Sequence, residues 1–77
     1  MLGGGISPRK SPLQARSQRT VDRIVDAAAR VFNEAGYLSA TTNGIAAEAG
    51  VSIGSLYQYF PNKDALLIEI ARRHISD

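Results

Sequence analysis

The stretch Gly50-Val51-Ser52-Ile53-Gly54-Ser55-Leu56-Tyr57-Gln58-Tyr59-Phe60-Pro61-Asn62 restricts the folds open to this chain more than any other part of it. Gly50 supplies the positive φ that ends a preceding helix, and Ser52 carries a hydroxyl suited to capping the next one. Pro61-Asn62 stops that second helix after barely two turns. A helix so short has no stability by itself. It holds only if Leu56 and Phe60 face a core made by other helices, with Tyr57 joining them in part. Ile53, Gly54, Ser55, Gln58 and Tyr59 are then left on other faces. Small residues with hydroxyl, amide and phenol groups on an exposed short helix, after a helix-Gly-helix junction, predict a helix-turn-helix in which this element reads DNA.

The flanking segments supply the required core. From about Arg16 to Ala35, Val21, Ile24, Val25, Ala28, Val31, Phe32 and Ala35 follow the spacing of an amphipathic helix. Gly36 ends it, and Tyr37-Leu38 is expected to fold back over the core. Asp26 and Arg30 are spaced for a surface ion pair within that helix. Asp22 and Asp26 share a face, but arginines crowd it and no nucleophile or base accompanies them, so they make no catalytic pair. Thr41-Thr42 offers an N-cap to a helix that runs to about Ala49 and buries Ile45, Ala46 and Ala49. Gly44 costs that helix up to about 1 kcal/mol relative to alanine. The two small alanines, Ala46 and Ala49, let it approach the next helix closely, so that the pair moves as one rigid unit.

Asn62 caps a last helix, and Lys63 stands in its first turn, where a cation opposes the helix dipole. An unfavourable placement implies another reason for the lysine, and its expected position is exposed. Further on, Leu66, Leu67, Ile68, Ile70, Ala71 and Ile75 span roughly 200° of the helix at about 100° per residue. A three-helix core needs a stripe of only about 100°. Part of that surface therefore calls for a partner.

Seventy-seven residues without cysteine allow one small domain with no disulfide or thiolate-metal staple, which favours an all-α helical bundle. The net charge of +2 is unevenly placed. Arg9, Lys10, Arg16, Arg19 and Arg23 face only Asp22 in the first 23 residues, whereas the remainder carries four basic residues against six acidic ones. Residues 1–14, with Gly3, Gly4, Gly5, Pro8 and Pro12, are expected to form a flexible basic arm, either laid along phosphates or a minor groove or simply solvated. Residues 15–77 form the folded domain. No run is long enough to cross a membrane, and Gly3-Gly4-Gly5 stands where a signal peptide needs an apolar segment, so a cytoplasmic chain is expected. His74, a lone histidine among arginines, is not a metal ligand, and neither a metal nor a cofactor is implied.

From about Arg19 to Leu67 the chain resembles the N-terminal DNA-binding domain of the TetR family of bacterial transcriptional regulators. The matching pieces are Ile24-Val25-Asp26-Ala27-Ala28-Ala29-Arg30-Val31-Phe32 with Gly36-Tyr37, Thr41-Thr42 before Ile45-Ala46, and Ala49-Gly50-Val51-Ser52. Gly54-Ser55-Leu56-Tyr57 with Tyr59-Phe60, then Lys63 and Ala65-Leu66-Leu67, complete the pattern in order and at the family's spacing. The resemblance implies a homeodomain-like helix-turn-helix of the TetR N-terminal type, with no enzymatic activity. It implies a repressor that binds a palindromic DNA operator as a homodimer. A C-terminal domain, absent from this chain, would dimerise it and bind a small-molecule inducer, moving the last helix as a lever. The 77-residue chain alone is then expected to be monomeric.

Residue by residue, the resemblance gives Thr41 and Thr42 a backbone phosphate, Lys63 a phosphate anchor, and Tyr59 a phosphate contact at a position often held by histidine in the family. Chemistry adds Ser52, whose hydroxyl caps the helix and meets phosphate, and Tyr57, with its phenol at the surface. Ile53, Gly54, Ser55 and Gln58 are expected nearest base edges. Gln58 suits paired hydrogen bonds to adenine, Ile53 a thymine methyl, and Gly54 a close approach. Ile53 departs from the basic or polar residue common there, which disfavours guanine reading. The competing reading is a small helical protein-interaction module that uses the apolar face of the last helix.

Overall fold

The chain is described by a computed structural model over residues 12–76. Helix α1 (Pro12–Ala35) opens on Pro12, where a missing backbone N–H costs nothing and the fixed φ suits the first turn. Helix formers Leu13, Gln14 and Ala15 then extend it back into the stretch expected to be arm; residues 1–11 lie outside the described residues. Helix α2 (Thr42–Ala49), α3 (Ile53–Tyr59) and α4 (Lys63–Ser76) follow, and no strand occurs among the described residues.

Helix α1 packs against both α2 and α4, and α2 against α3. The centre of the core takes one large, fully buried side chain from each helix: Ile24, Ile45, Leu56 and Leu66. Val25, Ala27, Ala28, Ala46, Ala49 and Phe60 complete it, with Val21, Val31 and Phe32 packed at its margin. Because α1 is flanked on two sides, its buried stripe widens to include Ala27, whereas Ala35, expected inside, is exposed at the helix end. Helix α2 buries Ile45, Ala46 and Ala49, as their spacing predicts.

Gly36 ends α1 with φ +83, its N–H donating to the Phe32 carbonyl at 2.9 Å. The Ala40 N–H donates to the Gly36 carbonyl at 3.1 Å, closing a tight turn that buries Ala40. Leu38 stands at the apex of that turn and is 91% exposed, so it does not cover the core. Tyr37 does, with its ring 5.3 Å from that of Phe32. Thr41 caps α2, its Oγ1 accepting the Gly44 N–H at 2.9 Å. A Cβ on residue 44 would stand 3.0 Å from that oxygen, so glycine relieves crowding at the cap.

The expected pairing of Arg30 with Asp26 gives way to a longer reach, since Arg30 Nε donates to Glu48 of α2 at 3.0 Å and joins two helices. In α4, Asn62 accepts the Ala65 N–H at 2.9 Å. Leu66 is buried, Ala65 and Ile70 border the core, and Leu67, Ile68 and Ile75 are exposed. Glu69 holds both Arg72 (2.7 Å) and Arg73 (2.9 Å), and Arg73 also reaches Asp22 of α1 at 3.0 Å. The hydrogen bonds from Arg72, then from Arg73, hold the Glu69 carboxyl below its ordinary range. Among the described residues no helix is long and apolar enough to cross a membrane.

Candidate nucleic-acid interface

The junction between α2 and α3 is built by backbone chemistry that the sequence spells out. Gly50 has φ +75, its N–H donates to the Ala47 carbonyl at 3.1 Å, and the Val51 N–H donates to the Ala46 carbonyl at 3.0 Å. These are the paired bonds of a Schellman ending, and Val51 adds the apolar contact with the core that commonly accompanies it. Ser52 then caps α3, its Oγ accepting the Ser55 N–H at 3.0 Å while its own proton goes to Ser55 Oγ at 3.0 Å. The Ser55 hydroxyl thus keeps a proton to offer elsewhere.

One contact at this junction has no local signal in the sequence. Arg23 of α1 reaches across and donates through Nη2 to the Ala49 carbonyl at 2.8 Å, with the Gly50 carbonyl at 3.4 Å. In the sequence Arg23 is one of several basic residues before the core, and nothing local to it points to a partner 26 residues away.

Helix α3 turns Leu56 fully inward and buries Phe60 behind it. Gly54, Tyr57, Gln58 and Tyr59 are exposed, the tyrosines to 48% and 36%, and Ser55 is half-buried. Ile53 is placed differently from the expectation of an outward residue, being half-buried and packed against the core. It precedes Leu56 by three positions and therefore shares its face of the helix. Thr42 and Tyr57 share a hydrogen bond of 2.8 Å, which ties the first turn of α2 to the outward side of α3.

Lys63 is half-buried rather than exposed. Its Nζ donates to the Tyr37 carbonyl at 2.7 Å, lies 3.4 Å from that of Leu38, and sits 4.3 Å above the Tyr37 ring. The Tyr37 hydroxyl in turn donates to Asp64. The cation at the start of α4 is thus explained locally, by carbonyls and a ring face that offset its conflict with the dipole. An ammonium has three donors, so one remains for an external acceptor. The structure joins Thr42 with Tyr57 and Ser52 with Ser55, while Thr41 serves the α2 cap and Lys63 serves the α1–α2 loop.

A shallow cleft of about 250 Å³ beside the junction is lined by Arg23, Asp26, Arg30, Glu48 and Ala49. Its two cations and two carboxylates give it no preference for ions of either sign. No cluster of histidine, cysteine or carboxylate side chains suited to a metal ion occurs among the described residues.

Residues 24–70 match the family described as "Bacterial regulatory proteins, tetR family". Among curated relatives, the chain is similar to the HTH-type transcriptional regulator HbdR of Aromatoleum sp. (strain CIB), 49% identical over 45 residues that cover 58% of this chain and 20% of that protein. It is also similar to the fatty acid metabolism regulator protein of Bacillus subtilis, 44% identical over 48 residues, covering 62% of this chain and 25% of that one. The HTH-type transcriptional repressor KstR of Mycobacterium tuberculosis is 35% identical over 68 residues, covering 87% and 31%. The chain therefore spans 20% to 31% of the length of these relatives. The matched span takes in all of α2 and α3 with the turn between them, the second half of α1, and the first part of α4. The chain belongs to the tetR family of bacterial regulatory proteins.

Proposed function

We propose that this chain is the sequence-specific DNA-binding domain of a cytoplasmic TetR-type repressor, with α3 as the helix that enters the major groove. The observation that carries the reading is the division at α3 between Leu56, buried with the capping Phe60, and an outer face of Gly54, Tyr57, Gln58 and Tyr59. Gln58 would pair with adenine, and Ser55 would offer its hydroxyl proton to a base edge or a phosphate. At residue 54 a Cβ would meet only Ser52 Oγ, at 3.9 Å, so packing inside the chain does not demand glycine there. A closely approaching duplex would.

Thr41, Thr42 and Ser52 stand at helix N-termini, where phosphate is favoured, and Tyr59 and the remaining donor of Lys63 would extend the same phosphate track. Tyr57 would hold phosphate with a phenol already oriented by Thr42. Ile53, turned toward the core, would add at most an edge-on apolar contact with a thymine methyl. The whole protein would bind a palindromic operator as a homodimer and release it when a small molecule occupies a C-terminal domain. Support for repression comes from the similar protein KstR, which is named a repressor.

Selection from a random duplex pool tests this reading, using the domain fused to an unrelated dimeriser. Recovered sequences should be palindromes, with half-sites about one helical turn or a multiple of it apart. Their binding should fall steeply with salt. No enrichment over the starting pool, or binding indifferent to salt, would refute the reading.

A further inference from the structure

We infer that Arg23 is a positioning residue for DNA reading, fixing from α1 the junction that sets how α3 meets a duplex. The inference rests on α3 being the reading helix. None of the DNA contacts assigned above involves Arg23, and it lies just outside residues 24–70 that carry the family match.

The last carbonyls of a helix have no partners within it and bear the negative end of its dipole. In α2 the Ala46 and Ala47 carbonyls are met by the Val51 and Gly50 amides of the turn itself. The Ala49 carbonyl is met by the guanidinium of Arg23 at 2.8 Å, which supplies both a donor and a positive charge where they are needed. The fit is close, since a Cβ on residue 50 would lie 3.0 Å from Arg23 Nη2. Glycine at position 50 therefore serves the clamp as well as the φ of +75.

Ion pairs join the helices on either side of the clamp. Asp22, the neighbour of Arg23, accepts from Arg73 of α4 at 3.0 Å, and Arg30, about two turns along α1, pairs with Glu48 at 3.0 Å. The junction is thereby referenced to α1 and α4, and not to α2 alone. Base reading depends on side chains held to within a fraction of an ångström, whereas attraction to phosphate depends on charge. Loosening the junction should therefore cost preferred duplexes more than indifferent ones.

The test compares three variants of the 77-residue chain, titrated against its preferred duplex from a random-pool selection and against a scrambled duplex. Arg23→Met should lower the ratio of preferred to scrambled affinity about tenfold, the scale of one charge-assisted hydrogen bond. Arg19→Met removes the same charge from the same helix, and should weaken both duplexes alike with the ratio held within about twofold. Arg23→Lys should restore part of the ratio. Amide exchange supplies a readout free of DNA: in Arg23→Met the Gly50 and Val51 amides should exchange about tenfold faster while Ala27 and Ala28 keep their protection. An unchanged ratio overturns the inference, as does a rise in exchange spread evenly over all four helices, which would make Arg23 a general stabiliser. If the dimeriser fusion of the parent domain enriches no duplex, the DNA reading itself fails. Exchange then decides the clamp, with unchanged Gly50 and Val51 amides refuting it and local loosening keeping Arg23 as the residue that places α3.

Discussion

Lys63→Met removes the ammonium while keeping most of the stem over the Tyr37 ring, and its cost follows from the contacts observed. The bond to the Tyr37 carbonyl, at 2.7 Å from a charged donor in a part-buried place, contributes about 1.5 kcal/mol. The ammonium 4.3 Å above the ring adds about 0.5–1 kcal/mol. Removing a cation from the first turn of α4 returns about 0.3–1 kcal/mol. The 3.4 Å approach to Leu38 is too long to change the sum. The net expectation is a loss of about 1–2 kcal/mol, which in a domain this small lowers the melting temperature by about 5–15 °C. Thermal unfolding followed by circular dichroism measures it. Tyr37→Phe keeps the ring and loses only the bond to Asp64, so it should cost about 0.5–1 kcal/mol. A separate readout concerns the third donor of Lys63. If it meets a phosphate, the slope of log affinity against log salt should fall by about one in Lys63→Met and stay put in Tyr37→Phe. A melting temperature unmoved by Lys63→Met would refute the stabilising role of its contacts with Tyr37, and an unmoved slope would refute the phosphate role.

Gln58→Ala should cost about 1–3 kcal/mol of discrimination at one base-pair position, read by selection with the variant; a uniform loss over all sequences would make Gln58 a phosphate contact. Ile53→Ala should lower stability by about 1–2 kcal/mol in urea titrations and leave the preferred sequence unchanged, because Ile53 packs against the core. A changed preference at full stability would return Ile53 to the duplex. Glu69 has a folded pKa depressed from its ordinary 4.5 by Arg72 and then Arg73, so its contribution is complete above that value and disappears as pH falls through the lower, folded one. The stability gap between the parent chain and Glu69→Gln should therefore narrow from pH 7 toward pH 3, and a gap that widened on acidification would contradict the assignment.

The elements were legible because their determinants are local. Thr41, Ser52 and Asn62 each cap the helix that follows, through bonds to an N–H three residues on. Gly36 and Gly50 take the positive φ that their places after apolar runs imply. What the sequence concealed is the set of links between elements. Arg30 had a helix neighbour of opposite charge in Asp26, yet it reaches Glu48, because a long side chain at the crossing of α1 and α2 finds a partner on the other helix. Lys63 read as exposed because its first-turn position says nothing of a loop folded back beneath it. Ile53 stands among polar residues of α3, yet its spacing from Leu56 sets it on the inner face, where it packs against the core.

Helix α3 has seven residues, too few to be stable alone, and its placement is therefore the work of its neighbours. Leu56 and Phe60 fix its depth in the core, the Ala46 and Ala47 carbonyls fix its entry, and Thr42 fixes Tyr57 on its flank. None of these restraints uses Gln58 or the outward surface at Gly54. The residues that hold α3 are consequently different from those to which the proposed reading assigns the bases. Replacement of Leu56 by alanine, at a site with no exposure, should cost about 2–5 kcal/mol and threaten the fold. Replacement of Gln58 leaves every restraint on α3 in place, so under the proposed reading it should change the sequence recognised without changing the domain that presents it.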